Sequence, residues 1–203
     1  APGKTWRRSK MESSVSAIDI QNFRTGVFST SGWGRAEYSG WIDESQSWKT
    51  SCYVGDWSFL DEFQVRGPEA LKLFSDLCVN SFTKFAIGQA KHVICCNSGG
   101  HVIGEGVLMR LAEDEFEFQA LGPITAWLEY NLQRGGYRAE SETRISKFKY
   151  QVSGPTALYV LESLVDGDLR DIAFMHQRGL RVGSRELTFL RQGMAGEIGF
   201  EIQ

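Results

Sequence analysis

The stretch FQVRGPEALKLFSDL, at residues 63–77, decides the fold because it returns as YQVSGPTALYVLESL at residues 150–164. Seven of the fifteen positions are identical, at a constant offset of 87. Each copy has a strand pattern that ends at glycine, followed by proline, whose missing N–H costs nothing in the first turn of a helix. Apolar residues then follow at helical spacing. The chain is therefore predicted to contain a duplicated strand–helix unit.

Strand-like runs follow both predicted helices. They cover residues 92–96, 102–111 and 115–120 in the first half, and 178–182, 186–191 and 200–202 in the second. A further helix is predicted at residues 123–134, closed by the stop signal Gly135-Gly136. Two β-α-β-β units in succession predict an α+β protein with mainly antiparallel sheets. The predicted domains are an N-terminal wrap (1–57), a first αβ repeat (58–145) and a second repeat (146–203), incomplete at its C-terminus.

The N-terminal segment is rich in aromatic residues, and five of the six tryptophans fall in its 57 positions. A short helix is predicted at residues 44–50, with Trp41 and Trp48 on one side. One interpretation is a segment that packs over the core. The other is that its aromatic side chains also form the wall of a pocket for a flat ligand.

Composition excludes several classes of function. Twenty-two basic and 25 acidic residues give a net charge of -3, so no broad cationic surface for nucleic acid is expected. No apolar run approaches the roughly 20 residues of a membrane helix, and residues 1–21 lack the apolar core of a secretory signal. A cytoplasmic protein with no membrane partner is the expectation.

The histidines and cysteines give no sign of a metal site. His92, His101 and His176 are far apart in sequence and lack ligand spacing. The four cysteines contain no C-x-x-C pair, and they are expected to be buried free thiols.

Two glycine-rich segments carry the candidate chemistry. In the first, Glu105 lies in a strand between Gly104 and Gly106, an arrangement that lets another molecule approach the backbone closely. In the second, residues 191–202, alternation places Glu201 on the face opposite Phe200 and Ile202. The alternative for Glu105 is an acid that faces solvent or forms a salt bridge, and the alternative for residues 191–202 is a tight turn with surface acids.

These pieces, in this order, resemble the folate-binding fold of the glycine-cleavage T-protein (aminomethyltransferase) superfamily. The resemblance rests on V-R-G-P-x-A at residues 65–70, the hairpin at 97–108 and R-x-G-x-x-G-E-x-G-F-E-I at 191–202. The run at residues 37–51 is more similar to tetrahydrofolate-dependent O-demethylases of the vanillate and syringate type, which act on lignin-derived methoxyarenes. The similarity covers about residues 23–203.

The resemblance implies a tetrahydrofolate site. Glu105 corresponds to the acid near the folate nitrogen that receives the carbon unit, and Glu201 to the glutamate that binds the pterin ring. A carboxylate that accepts two N–H bonds from the amino-pyrimidine edge makes a charge-assisted, bidentate contact. Gln151 and Phe174 correspond to further folate contacts, and Met194 occupies a position that is often tyrosine in the T-protein.

Departures from the family pattern concern the substrate pocket, which the resemblance assigns to Leu121, Phe59, Trp57 and Trp41. Leu121 stands where the T-protein has an asparagine and where vanillate-type demethylases have an arginine that holds the substrate carboxylate. A leucine side chain can take the part of neither residue. Phe59 replaces the histidine of a D-x-S-H motif. Both changes favour a methoxyarene without a carboxylate as the small-molecule substrate.

The function implied by the resemblance is methyl transfer from an aryl methyl ether to tetrahydrofolate. Two alternatives stay open: aminomethyl or N-methyl transfer of the T-protein type, and a folate-binding module without catalysis. The chain ends at Gln203 within a predicted strand, before the C-terminal barrel and further residues of the demethylases. Either a second chain supplies the neighbouring strand, or a C-terminal segment is missing and the chain alone is not competent.

Overall fold

The structure is a computed structural model that describes residues 38–144, 146–193 and 196–203 of the chain. Its helices are α1 (Trp41–Thr50), α2 (Ala70–Leu77), α3 (Gly122–Gly135) and α4 (Ala157–Glu162). Its strands are β1 (Tyr53–Asp56), β2 (Asp61–Arg66), β3 (Ala90–Cys96), β4 (Val102–Ala112), β5 (Glu115–Ala120), β6 (Glu140–Arg144), β7 (Tyr150–Ser153), β8 (Gln177–Val182), β9 (Arg185–Arg191) and β10 (Gly199–Ile202).

The strands of the described ranges form two five-stranded sheets. The first sheet has the order β3-β4-β5-β2-β6, and the second has the order β8-β9-β10-β7-β1. Every pairing between these strands is antiparallel. The prediction of an α+β protein with duplicated units and mainly antiparallel sheets is confirmed.

The duplication extends to the order of the strands. Each strand of one sheet has a counterpart at the same position in the other, including the edge strands β6 and β1. In the first half α3 and β6 follow the repeat, whereas α1 and β1 of the second sheet precede both repeats in the chain. The aromatic N-terminal segment thus supplies the edge strand that completes the second sheet, which the sequence did not predict. The domain boundaries stay predictions.

Each sheet has an outer face covered by helices. On the first sheet, Phe63, Phe116 and Phe118 are buried together with Phe74 of α2 and Leu128 of α3. The rings of Phe74 and Phe118 lie 6.0 Å apart and tilted, a favourable arrangement for aromatic pairs. On the second sheet the outer core includes Val152, Leu161, Phe189 and Phe200. The helices therefore leave the opposite face of each sheet for other contacts.

The cysteines agree only in part with the sequence-based expectation. All four are free, as predicted, but only Cys78 and Cys95 are buried, with their sulfurs 3.4 Å apart, and burial is wrong for the half-buried Cys52 and Cys96. Across the described ranges, no helix combines the length and apolar character that crossing a membrane would require. The same ranges contain no group of three or more histidine, cysteine or acidic residues arranged to hold a metal ion.

The last strand is not at a sheet edge. β10 lies between β7 and β9, and Gln203 also exchanges two backbone hydrogen bonds with Thr188, at 2.9 and 3.0 Å. The hypothesis that a second chain supplies the strand beside residues 200–202 is therefore wrong, because this chain occupies both sides.

Candidate functional site

The faces of the two sheets that carry no helices, called here the inner faces, meet each other. Leu190 of the second sheet packs in one buried cluster with Ala90, Val107 and Met109 of the first. Directly opposite residues of antiparallel strands share a face, and Leu190 is opposite Glu201. Glu201 therefore lies on the inner face, at the junction of the sheets.

A buried ion pair spans this junction. Lys149 is 1% exposed and its ammonium group lies 2.7 Å from Oε1 of Glu62, which is 0% exposed. The same Nζ donates to the backbone oxygen of Leu60 at 3.0 Å. Ser146 and the backbone N–H of Lys147 donate to the Glu62 carboxylate at 2.8 and 2.9 Å. Burial raises the pKa of Glu62, but these bonds outweigh it and hold the pKa below its usual value.

A second polar network adjoins the first on the inner face of the first sheet. The buried Glu117 carboxylate accepts bonds from Nζ of Lys147 at 2.6 and 2.8 Å. Gln119 and Gln64 donate to it at 2.8 and 3.0 Å. The two buried carboxylates of this face, Glu62 and Glu117, are thus both engaged, so neither is left free to bind a ligand.

Glu201 differs from Glu62 and Glu117 in its hydrogen bonding. Within the part of the chain that the structure describes, no donor reaches its carboxylate. Burial raises its pKa to about 7, and the positive charge of Lys149 opposes this shift. The pKa of Tyr53 is raised, chiefly by burial and further by the negative charge of Glu201. Such an unpaired, partly ionised acid is typical of a binding site.

The neighbours of Glu201 offer further unpaired polar atoms. Gln151, opposite Glu201 in β7, donates its Nε2 to the backbone oxygen of Gln192 at 2.6 Å. The side-chain oxygen of Gln192 is buried, and no described residue bonds to it. The indole Nε1 of Trp57 is likewise buried without a partner among the described residues. A buried polar atom without a partner is costly, so a ligand that pairs with these atoms gains binding energy.

Gly55 gives this site its shape. It is opposite Gln151 on the neighbouring strand β1, and a Cβ there would lie 3.2 Å from both the Trp57 indole nitrogen and the Tyr53 ring. The Phe59 ring lies 5.7 Å from that of Trp57. The structure therefore brings together four of the predicted site residues: Glu201, Gln151, Trp57 and Phe59.

Glu105 lies apart from them, near the end of the first sheet. It is on the inner face of β4, exposed, with Oε2 3.5 Å from Nε2 of His92. Its flanking glycines do not admit another molecule, so that expectation is wrong. A Cβ on Gly104 would lie 2.4 Å from Ile124 of α3, and one on Gly106 would lie 2.5 Å from the backbone oxygen of Gln119. The two glycines serve internal packing.

Gly106→Ala is expected to destabilise the chain by about 1–3 kcal/mol, because backbone and the Phe118 ring must shift to admit the methyl group. Gly104→Ala meets the Cγ1 and Cδ1 atoms of one side chain, Ile124, and no backbone atom among its three nearest neighbours, and it is the matched control. Urea unfolding of both variants checks the prediction, which an equal or larger loss for Gly104→Ala would contradict.

The remaining predicted residues are dispersed. Phe174 is exposed and lines a pocket of about 390 Å³ with Lys84, Lys91, His92 and His176. Leu121 precedes α3 and is 52% exposed, and Trp41 at the start of α1 is also exposed. Met194 lies outside the described residues. The roles proposed for all these residues stay predictions.

Sequence reasoning missed the charged groups that surround Glu201. Lys149 and Glu62 occupy equivalent positions of the two copies, since they are separated by the same offset of 87. If the repeat alignment is extended by one residue before position 63, Glu62 aligns with Lys149. This pairing of opposite charges at equivalent positions was the signal in the sequence that could have revealed them.

Comparisons with known proteins identify the family of the chain. Residues 19–203 match the family described as the GCVT N-terminal domain. Sesamin methylene transferase of Sinomonas sp. is 34% identical over 90% of this chain and 41% of its own length. Syringate O-demethylase of Sphingobium sp. is 28% identical over 95% of the chain and 44% of its own length. An aminomethyltransferase of Porphyromonas gingivalis is 28% identical over 82% of the chain and 47% of its own length.

Solved structures show the same fold. The crystal structure of glycine cleavage system aminomethyltransferase T from Bartonella henselae superposes with a TM-score of 0.67 at 23% identity, covering 79% of this chain and 44% of that one. The chain thus spans less than half the length of the curated relatives named above.

Proposed function

The chain belongs to the GCVT N-terminal domain family, and on this basis we propose that it binds tetrahydrofolate beside Glu201, where the inner faces of its sheets meet. The whole protein would then move a one-carbon unit from an aryl ether to that cofactor. The observation that carries the proposal is the unpaired Glu201 carboxylate, flanked by buried polar atoms of Trp57 and Gln192 that have no partner among the described residues.

The polar atoms of this site fit a pterin ring, which presents both donors and acceptors along its edge. Ionised Glu201 can accept two N–H groups of the amino-pyrimidine edge. The Trp57 indole N–H can only donate a hydrogen bond, so it suits an acceptor atom of the ring. The Gln192 side-chain oxygen can only accept, so it suits a donor. The rings of Trp57 and Tyr53, which close over Gly55, give the site aromatic surface on which a flat ligand can pack.

Chemistry is divided between the cofactor and the chain. When bound, tetrahydrofolate supplies a nitrogen that accepts the one-carbon unit. The chain must orient the donor and provide a proton for the aryl oxygen that leaves. Glu105 and His92, whose carboxylate and imidazole are 3.5 Å apart on the inner face, are the candidate groups to hold that proton.

The proposed donor is a methoxyarene without a carboxylate. Leu121, Phe59, Trp57 and Trp41 offer apolar and aromatic surface and no cation to hold an acid group. The 28% identity to a syringate O-demethylase supports an O-methyl donor. A second candidate donor is the methylene unit of sesamin, because the sesamin methylene transferase is 34% identical.

The test is titration of tetrahydrofolate into the chain at pH 8 under anaerobic conditions, followed by calorimetry. We expect Glu201→Gln to weaken binding roughly 10- to 100-fold, the cost of replacing charge-assisted bonds and stranding a donor. Glu186→Gln, an exposed acid of the same sheet, is the matched control and should leave the dissociation constant unchanged.

Absence of heat from the parent chain, or equal affinity of the parent and Glu201→Gln, would count against a folate site at Glu201. With binding established, 2-methoxyphenol, a methoxyarene without a carboxylate, and sesamin are the first donors to supply to the whole protein. Release of a demethylated phenol from 2-methoxyphenol identifies methyl transfer, whereas reaction of sesamin alone identifies the second candidate.

A further inference from the structure

We infer that Lys149, held in place by Glu62, is a positioning residue of the folate site: its buried charge keeps the Glu201 carboxylate in the ionised form that receives the cofactor. The inference rests on the proposed function, since it assigns a role at the same site. It concerns residues outside the recognisable motifs of the chain.

The register of the strands places Lys149 beside Glu201. Glu201 is opposite Gln151, and Lys149 precedes Gln151 by two residues, so both lie on the inner face. Lys149 is therefore the diagonal neighbour of Glu201, and diagonal neighbours have Cα atoms about 7–8 Å apart. The ammonium group has three donors, of which Glu62 and the backbone oxygen of Leu60 occupy two.

The backbone around Lys149 is fastened to the same site. Its N–H donates to Oγ of the buried Ser58 at 3.0 Å, and its carbonyl accepts the N–H of Trp57 at 2.8 Å. Lys149 thus also fixes the segment that carries the Trp57 indole. A shift of Lys149 would therefore move the Trp57 indole, which is proposed to contact the cofactor.

Stability alone does not explain this ion pair. Replacing a buried ion pair with apolar residues of similar volume is often neutral or stabilising, because burial of two charges carries a large desolvation penalty. Lys149 and Glu62 are essentially inaccessible to solvent. Their location at the junction of the sheets, next to an acid without its own donor among the described residues, indicates a role in that acid's charge state.

The charged and titratable groups facing Glu201 are few. β1 contributes Tyr53, the segment before β7 contributes Lys149, and the facing sheet contributes Glu62 and Glu117 with the ammonium group of Lys147. On the neighbouring strand β9 the opposite residue is the apolar Leu190. Arg181 and Glu186, opposite each other in β8 and β9, share the same sheet face, but the positive charge that acts on Glu201 is that of Lys149.

The test uses the double variant Glu62→Leu/Lys149→Met, which removes both charges and keeps the volume filled. Lys149→Met alone is avoided because it would leave Glu62 buried without its partner. Asp171→Asn/Arg178→Gln, which removes an exposed ion pair of the second half, is the matched control. Tetrahydrofolate binding is measured by calorimetry from pH 6 to pH 9, and thermal unfolding verifies that each variant is folded.

We expect the double variant to bind about 10-fold more weakly than the parent at pH 6 and about 5-fold more weakly at pH 7, and to recover to within about 3-fold at pH 9. The midpoint of its binding profile should therefore rise by about one pH unit, since a tenfold change corresponds to one unit. The control should reproduce the parent profile.

Three other results would overturn the inference. A folded double variant with the parent's profile would show that Lys149 has a structural role only, while the proposed function stands. A loss of affinity that is equal at every pH would indicate a change of shape rather than of charge. Failure of the parent to bind would overturn the inference together with the proposed function.

Discussion

Glu201→Gln is expected to stabilise the chain by roughly 2–3 kcal/mol at pH 8 and to leave its stability almost unchanged near pH 4. Burial raises the pKa of Glu201 to about 7, from the 4.5 of a solvent-exposed glutamate. Between these values the carboxyl is ionised in the unfolded chain and still protonated in the folded chain. The group therefore destabilises the folded state increasingly as the pH rises toward 7, and by a constant amount above it.

Urea unfolding of the parent and Glu201→Gln at pH 4, 6 and 8 measures this difference. The control is Glu186→Gln, which removes an exposed carboxylate from the same sheet. A stability difference that does not change with pH would show that Glu201 keeps its ordinary pKa. Because the same substitution is expected to weaken tetrahydrofolate binding, stability and function should change in opposite directions, as is common at binding sites.

The periodicity of the sequence predicts the strands but not what covers them. In β5 the alternation of Glu115, Phe116, Glu117, Phe118 and Gln119 predicts one apolar and one polar face. A polar face usually meets water, yet Glu117 and Gln119 are buried. The second sheet and the segment before β7 cover them, and nothing in a local pattern reports a contact between distant segments.

The same reasoning explains which site residues could be predicted. Alternation correctly places Glu201 on the face opposite Phe200, because it depends only on neighbouring positions. The ion pair of Lys149 with Glu62 joins residues 87 positions apart, so it becomes visible only when the two copies of the repeat are aligned. The edge position of β1 depends on a segment that precedes the repeats, and the repeat pattern contains no information on it.

Gly154→Ala and Gly67→Ala are each expected to destabilise the chain by more than about 3 kcal/mol, combining backbone strain with a steric clash. These glycines end β7 and β2 with φ of 134° and 131°, a conformation that side chains rarely adopt. A Cβ on Gly154 would lie 2.5 Å from the backbone oxygen of Ser51, and one on Gly67 would lie 2.6 Å from that of Arg138.

Gly67 and Gly154 are equivalent positions of the repeat, and the same backbone contact is found at each. The segment that enters the edge strand crosses directly over the glycine, and its backbone oxygen accepts an N–H from the next helix, at 3.0 Å from Thr156 and 3.3 Å from Glu69. Backbone cannot move aside without breaking these bonds, so the edge strands β1 and β6 would be displaced. At Gly154 that displacement would also move Gly55 and the wall of the proposed folate site.

Gly100→Ala is the matched control for both variants. Gly100 also has a positive φ, of 78°, but its Cβ would meet no atom within 4 Å. Its substitution should therefore cost only about 1 kcal/mol, the strain of the backbone alone. Thermal and urea unfolding of the three variants separate strain from clash. Equal losses at all three positions would mean that the edge-strand segments do not press on Gly67 and Gly154, and that conformation alone selects glycine there.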